Sequence, residues 1–197
     1  MSEARSYTQH AKTDAGDIEI RLMSRTDEAA VLAFAQKLPT HDLLFLPRNI
    51  SQPKVLSAWI NEIERGAITS LLAVKAGKVV GCGTLVRDPH SWSPHVGDIR
   101  MVVSQDVRGQ GVGRALSQQT FALALDAGLE KLSVQMTVDQ QAAIALFESL
   151  GFKAEALLRD HVRDLEGKKH DIVVLGHNVA QVRAQMEAYG LPDAVQP

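Results

Sequence analysis

Three glycines alternate with other residues in the stretch Arg108-Gly-Gln-Gly111-Val-Gly113-Arg114, which follows an apolar run ending at Val103 and leads into an apolar-periodic segment near Val112. Glycine lets a backbone approach a ligand closely and adopt unusual dihedral angles. A helix start offers free N–H groups and the positive end of the helix dipole. Together these make an anion site suited to phosphate or pyrophosphate, with Arg108 and Arg114 on its flanks. A Walker loop would end in Gly-Lys-Ser/Thr, whereas Gly113 is followed by Arg114 and Ala115. A dinucleotide loop would place its third glycine three residues after the second, near the start of a βαβ unit. A tight turn with surface arginines is the plain alternative. For proton transfer, Asp98 stands five residues before Val103. Its competing role is an ion pair with Arg100. His95 in a loop is a further candidate base, while Asp160 and His161 on the last hairpin are read as facing the acceptor or solvent.

The chain has 197 residues and a net charge of −2. That length suits one domain with its own core. The charge gives no basic field for nucleic acid or an anionic membrane, so neither is expected as a partner. The single cysteine, Cys82, cannot form an internal disulfide and reads as a small apolar residue in a strand. No apolar run reaches about 18 residues, and the start lacks the apolar core of a signal peptide. The expectation is a cytoplasmic protein.

The elements that must position the loop follow from periodicity. Residues 1–16 show none and are expected to be a flexible tail. Ile18, Ile20 and Leu22 alternate as a strand. Helices are expected from Ser24 to Lys37, before Pro39, and from Ser51 to Gly66, with Pro53 at the start. Two strands, Ile68 to Lys75 and Lys78 to Arg87, form a hairpin. A strand from Val96 to Val103 feeds the glycine loop. Its helix runs to Ala127, a strand follows from Leu129 to Met136, and another helix runs from Asp139 to Leu150. A last hairpin joins Phe152–Val162 to Lys169–Leu175, and a short helix is expected from Val179 to Tyr189. The result is an α/β (α+β mixed) fold with a central mixed sheet of about seven strands and helices on both faces. The domain is expected over residues 17–177, with residues 178–197 as a short helix and tail. An open sheet edge would let two copies pair as a homodimer.

The pattern Arg108-x-x-Gly111-x-Gly113, extended back to Val103 and on to Leu116, resembles the acetyl-CoA-binding loop of the GCN5-related N-acetyltransferase (GNAT) superfamily. Gln140-Gln-Ala-Ala-Ile-Ala-Leu-Phe147 through Gly151-Phe152 resembles its second motif. On spacing alone, Ala143, Phe147 and Leu150 are a buried helix face. The resemblance, which covers residues 18–176, implies acetyl-CoA as cofactor and no metal. The backbone of Met101, Val102 and Val103 would pair with pantetheine, and a Val103 amide would hold the thioester oxygen. Arg108, Gly109, Gln110, Gly111, Val112, Gly113 and Arg114 would bind pyrophosphate, and Gln140 and Phe147 would line the cofactor site. It further implies Asp98 as the general base. Two positions depart from the family: Phe147 stands where a tyrosine often protonates the thiolate, and Gln135 where a glutamate often acts as base. Neither can serve that way. The closing hairpin, Arg159 to Asp171, is similar to that of protein-acetylating members, including N-terminal alanine acetylases and bacterial enzymes that modify lysines of acyl-CoA synthetases. The implied function is acetyl transfer to a primary amine, on a protein lysine or N-terminus. The alternatives are a small-molecule amine acetylase with an acceptor pocket around Phe45, Trp59 and Trp92, or an acyl-CoA-binding sensor without turnover.

Overall fold

A computed structural model describes residues 7–180. Its elements run β1 (Thr8–Thr13), β2 (Gly16–Leu22), α1 (Glu28–Ala35), α2 (Pro53–Glu64), β3 (Ile68–Lys75), β4 (Lys78–Val86), β5 (Val96–Val103), α3 (Val112–Asp126), β6 (Lys131–Thr137), α4 (Gln141–Ser149), β7 (Lys153–Arg163) and β8 (Lys169–Asn178). They form one eight-stranded mixed sheet in the order β1-β2-β3-β4-β5-β6-β8-β7. The expected order of elements holds from β2 onward. One correction concerns the N-terminus: residues 8–13 are not a loose tail but a strand paired antiparallel with β2, from Thr8 opposite Arg21 to Thr13 opposite Gly16. Its sequence, Thr-Gln-His-Ala-Lys-Thr, is polar because it is an exposed edge strand. No apolar alternation was there to betray it. At the other end, β8 extends to Asn178, and most of the helix expected from Val179 to Tyr189 lies outside the described residues.

The helices divide between the two faces. Helix α2 turns Leu56 and Ile60 inward, with Val55, Trp59 and Ile63 beside them, the i, i+4, i+7 stripe of a half-buried helix. With α1 it covers Leu72, Cys82 and Val102. Burial pushes the Cys82 thiol up to about 12, so it is an inert core group. Helix α3 lies on the opposite face against Ile18, Ile20, Leu71 and Ala73, and α4 joins it further along, over Val134, Met136 and Leu175. Gly83 on β4 allows the close approach of α3: a Cβ there would meet Thr120 Oγ1 at 2.7 Å. This seating aims the start of α3 at the end of β5.

Candidate active site

β5 and β6 are the parallel pair at the centre of the sheet, and they part company midway. Pairing runs from Val96 opposite Lys131 to Ile99 opposite Val134 and stops. β6 continues to pair with β8 as far as Thr137, and β5 with β4 as far as Val103. A wedge therefore opens between Arg100–Val103 and Gln135–Thr137. Backbone groups alternate sides along a strand. Ser104 N–H donates to Val80 O on the β4 side, so the amides of Met101 and Val103 turn towards the wedge. A cavity of about 370 Å³ occupies it, lined by Met101, Val102, Val103, Val134, Gln135, Met136, Gln140, Ala143, Leu146 and Phe147, with Asp42 and Phe45 from the α1–α2 connection.

The glycine loop closes one end of this cavity through Arg108, Gly109 and Gly113. Gly111 caps α3 with φ +86°, a left-handed conformation natural to glycine. The first helical bond of α3 is Ala115 N–H to Gly111 O, at 3.0 Å. The N–H groups of Val112, Gly113 and Arg114 thus have no acceptor within the helix, which leaves a cradle of donors at the positive dipole end. Their side chains serve the fold: Val112 is fully buried in the core, Arg114 donates to Ser149 Oγ at 2.9 Å, and Gln110 Nε2 donates to Asp106 O at 3.0 Å. The hairpin of β1 and β2, unforeseen from sequence, braces the loop, with Ala15 N–H donating to Gln110 O and Thr13 packed beside Gly111. The Arg108 guanidinium donates to Val103 O at 3.0 Å and pairs with Asp42 at 2.6 Å. That ties the α1–α2 connection to the mouth of the wedge.

The remaining candidates divide between the cavity wall and positions away from it. Asp98 is not among the residues lining the cavity. Its carboxylate pairs with Arg100 at 3.0 Å, and burial raises its pKa against the opposing pull of that arginine. Phe147 is buried and packs edge-on against Phe152, ring centres 5.2 Å apart. His95 and His161 are exposed. Asp160 N–H donates to the Asp171 carboxylate at 2.8 Å, and its own carboxylate pairs with Lys169 at 3.4 Å. Phe45 reaches the cavity, Trp59 packs on α2's core, and Trp92 is wholly exposed, so the three aromatics form no common pocket.

Sequence reasoning missed His41. It lies in the turn Thr40–Leu43 and its Nε2 is 2.7 Å from Asp139 Oδ2, 98 residues away. Burial acts to raise the Asp139 carboxyl, but hydrogen bonds from Thr137, the backbone and His41 outweigh it and hold it below the usual carboxylate value. The only sign in the sequence is a polar triplet, Thr40-His41-Asp42, inside an otherwise apolar stretch.

The profile of the Acetyltransferase (GNAT) family matches residues 35–152. The chain belongs to that family. Within the family it is similar to N-acetyltransferase 8 of Rattus norvegicus, 34% identical over 84 residues, which are 42% of this chain and 38% of that protein. It is also similar to the ribosomal protein bS18-alanine N-acetyltransferase of Escherichia coli K12, 31% identical over 74 residues, 38% of this chain and 50% of that one. The chain thus spans half or less of the length of these two GNAT relatives. Among solved GNAT-fold structures, the yncA protein of Salmonella typhimurium with its cofactor acetyl-CoA superposes with a TM-score of 0.70 at 18% identity, over 82% of this chain and 94% of that chain. At that identity the likeness speaks for the fold.

Proposed function

We propose that this chain is an acetyl-CoA-dependent N-acetyltransferase that moves an acetyl group to a primary amine. The observation that carries the reading is the wedge between β5 and β6, which leads from unpaired strand amides to the helix-start donor cradle of α3. The residues present suit the cofactor: an amide edge for pantetheine at Met101 and Val103, an apolar wall at Leu146 and Phe147, and N–H donors of residues 112–114 for pyrophosphate. Bound there, acetyl-CoA supplies the activated acyl group. The chain's part is to hold the thioester carbonyl against the Val103 N–H, to exclude water with Phe147 and Met136, and to accept the amine's proton. Preorganised donors of this kind stabilise charge that develops on a carbonyl oxygen.

The acceptor we infer is a protein amine, either a lysine such as that of an acyl-CoA synthetase or an N-terminus. The closing hairpin of β7 and β8 supports it, as does likeness to an enzyme named for a ribosomal protein alanine. A specific observation favours a second reading, an acyl-CoA sensor: Phe147 and Gln135 both line the cavity and neither can exchange a proton near neutral pH. We further infer a cytoplasmic setting. No helix among the described residues is long and apolar enough to cross a membrane.

Calorimetry with acetyl-CoA, CoA and NAD tests the reading, with Gly111→Trp as a blocked-loop control. Binding of both CoA species that disappears in the control is expected. Binding of NAD alone, or of none, would overturn it. Thiol release with an added amine then separates the transferase from the sensor.

A further inference from the structure

The cavity assigned to the acyl donor holds few groups able to take a proton. Among its described lining residues, the carboxylates are Asp42 and Asp139. Asp42 is committed to Arg108 at 2.6 Å. Asp139 instead meets an imidazole, His41, at 2.7 Å. Because Nε2 of His41 faces the carboxylate, a neutral ring places its hydrogen there and leaves the lone pair of Nδ1 free. A carboxylate behind an imidazole fixes its tautomer and stabilises the imidazolium. The ring is fixed on its other side too. It lies edge-on to His170, centres 5.1 Å apart at 67°, and His170 is held by Asp164 at 2.7 Å. Thr137 Oγ1 sits 3.4 Å from His41 Nε2.

This pair stands where two hollows meet. Asp139 lines both the 370 Å³ cavity and a neighbouring cleft of about 840 Å³, and His41 lines the cleft. The cleft wall carries four carboxylates, from Asp139, Asp164, Glu166 and Asp171, against the two lysines 168 and 169. With both histidines neutral its balance is negative, which draws a cationic ammonium group and disfavours acidic molecules.

We propose that this cleft receives the acceptor's primary amine and that His41, oriented by Asp139, removes its proton. The proposal rests on the acetyl-CoA reading above. An acceptor that enters as ammonium first gives one proton to solvent. The neutral amine nitrogen then bonds to the thioester carbonyl carbon as the carbon–sulfur bond breaks, and the electron pair of that bond goes to sulfur. The proton lost by nitrogen goes to Nδ1 of His41, which returns it to the thiolate directly or through solvent, so the products are an amide, a free thiol and a neutral histidine. A thiol with pKa about 8.5 leaves readily, so the absence of an acid at Phe147 is no obstacle. Asp139 is a positioning residue.

The test uses the full chain, alaninamide and Nα-acetyl-lysine amide as acceptors, thiol release as readout, and calorimetry of acetyl-CoA alongside. His41→Gln is expected to lower kcat/KM by about 100-fold or more, the usual scale for a lost general base, without changing acetyl-CoA affinity. The rise of kcat/KM with pH that reports histidine deprotonation should vanish. Free imidazole should restore turnover to His41→Ala, which separates chemistry from folding. Asp139→Asn should lower the rate less and shift that rise to lower pH, since the imidazolium loses its anion. Wild-type turnover and an unchanged pH profile in His41→Gln would overturn the proposal, as would a fall confined to Asp98→Asn. Bound acetyl-CoA with no thiol released by either amine would overturn the assignment of a primary amine. Failure of wild type to bind acetyl-CoA would strike the underlying reading instead.

Discussion

Two glycine-to-alanine changes, two residues apart in the α3 loop, should move stability in opposite directions. Gly111 holds φ +86° at the helix cap. An L-residue in the left-handed region costs about 1–2 kcal/mol. Its Cβ would also touch Thr13 at 3.4 Å, an ordinary contact that adds little. Gly113 is already inside α3, and a Cβ there would meet only Leu146 at 3.4 Å and Val103 at 3.8 Å. Alanine fits that position and narrows the unfolded ensemble, a gain of about 0.4–1 kcal/mol. For a chain of this size each kcal/mol moves Tm by about 2–4 °C. Gly111→Ala should therefore melt about 2–8 °C below wild type, and Gly113→Ala about 1–4 °C above it, on the same arithmetic. Thermal unfolding followed by circular dichroism decides it. Acetyl-CoA calorimetry on the two variants adds a second reading, since strain at Gly111 also disturbs the donors at residues 112–114 and should weaken binding more. Equal shifts of the same sign would refute the left-handed cap, and with it the geometry assigned to the anion cradle.

Two further predictions concern groups held away from their ordinary titration. The Asp27 carboxylate takes bonds from Arg21 at 2.7 and 3.0 Å and from Ser24 N–H at 2.9 Å, and the Arg21 contact above all holds its pKa down. Its contribution is present above the unfolded value near 3.9 and fades as pH falls through the lower native value. Asp27→Asn should cost about 1.5–3 kcal/mol at pH 7, the range for charge-assisted bonds, and should flatten the acid limb of a urea-midpoint-against-pH curve. An unchanged midpoint at pH 7 would show that the Arg21 contact contributes nothing. His177 is buried between Phe121 and Phe152, ring centres 5.1 and 5.2 Å away, and burial lowers its pKa. The unfolded chain then takes up a proton below about pH 6.5 that the native state refuses, so stability is intact above that pH and declines as pH falls towards the native value. His177→Leu should lose this slope between pH 6.5 and 5. A slope as steep as wild type would place its origin in another group.

Most of the scaffold could be read from the sequence because its apolar residues keep strict periods. Ile18 and Ile20 alternate, Leu56 and Ile60 repeat by four, and the glycines at 109, 111 and 113 mark the junction of a strand with a helix. What escaped lacked that signal. β1 offers only Ala11 to the core and is otherwise polar because it is an exposed edge, and its pairing with β2 starts from the turn before Gly16. His41 and Asp139 meet only through tertiary contact. The pattern around Asp98 drew attention to a carboxylate on the strand that feeds the loop. The competing reading, an ion pair with Arg100 two residues on, is the contact the structure shows, and spacing alone could not choose between the two.

The two departures from the family pattern acquire a physical sense in this arrangement. Gln135 and Phe147 remove the proton-carrying groups from β6 and α4 on the cavity wall, and Phe147 packs there against Phe152. Titratable groups reappear one layer outward, on the α1–α2 connection, the β6–α4 loop and the β7–β8 hairpin, as His41, Asp139, His170 and Asp164. A carboxylate enclosed with apolar neighbours pays heavily for its charge. An imidazole at the rim does not, because its working base form is neutral. Placing proton transfer at the rim leaves the donor cavity apolar while the base stays within reach of an amine that arrives from the cleft side. It also makes a definite demand on the order of events. The α1–α2 connection that carries His41 is anchored to the wedge by Asp42 and Arg108, so Arg108→Ala should impair turnover through misplacement of His41 as well as through weaker cofactor binding. Saturating acetyl-CoA would correct the second defect and leave the first.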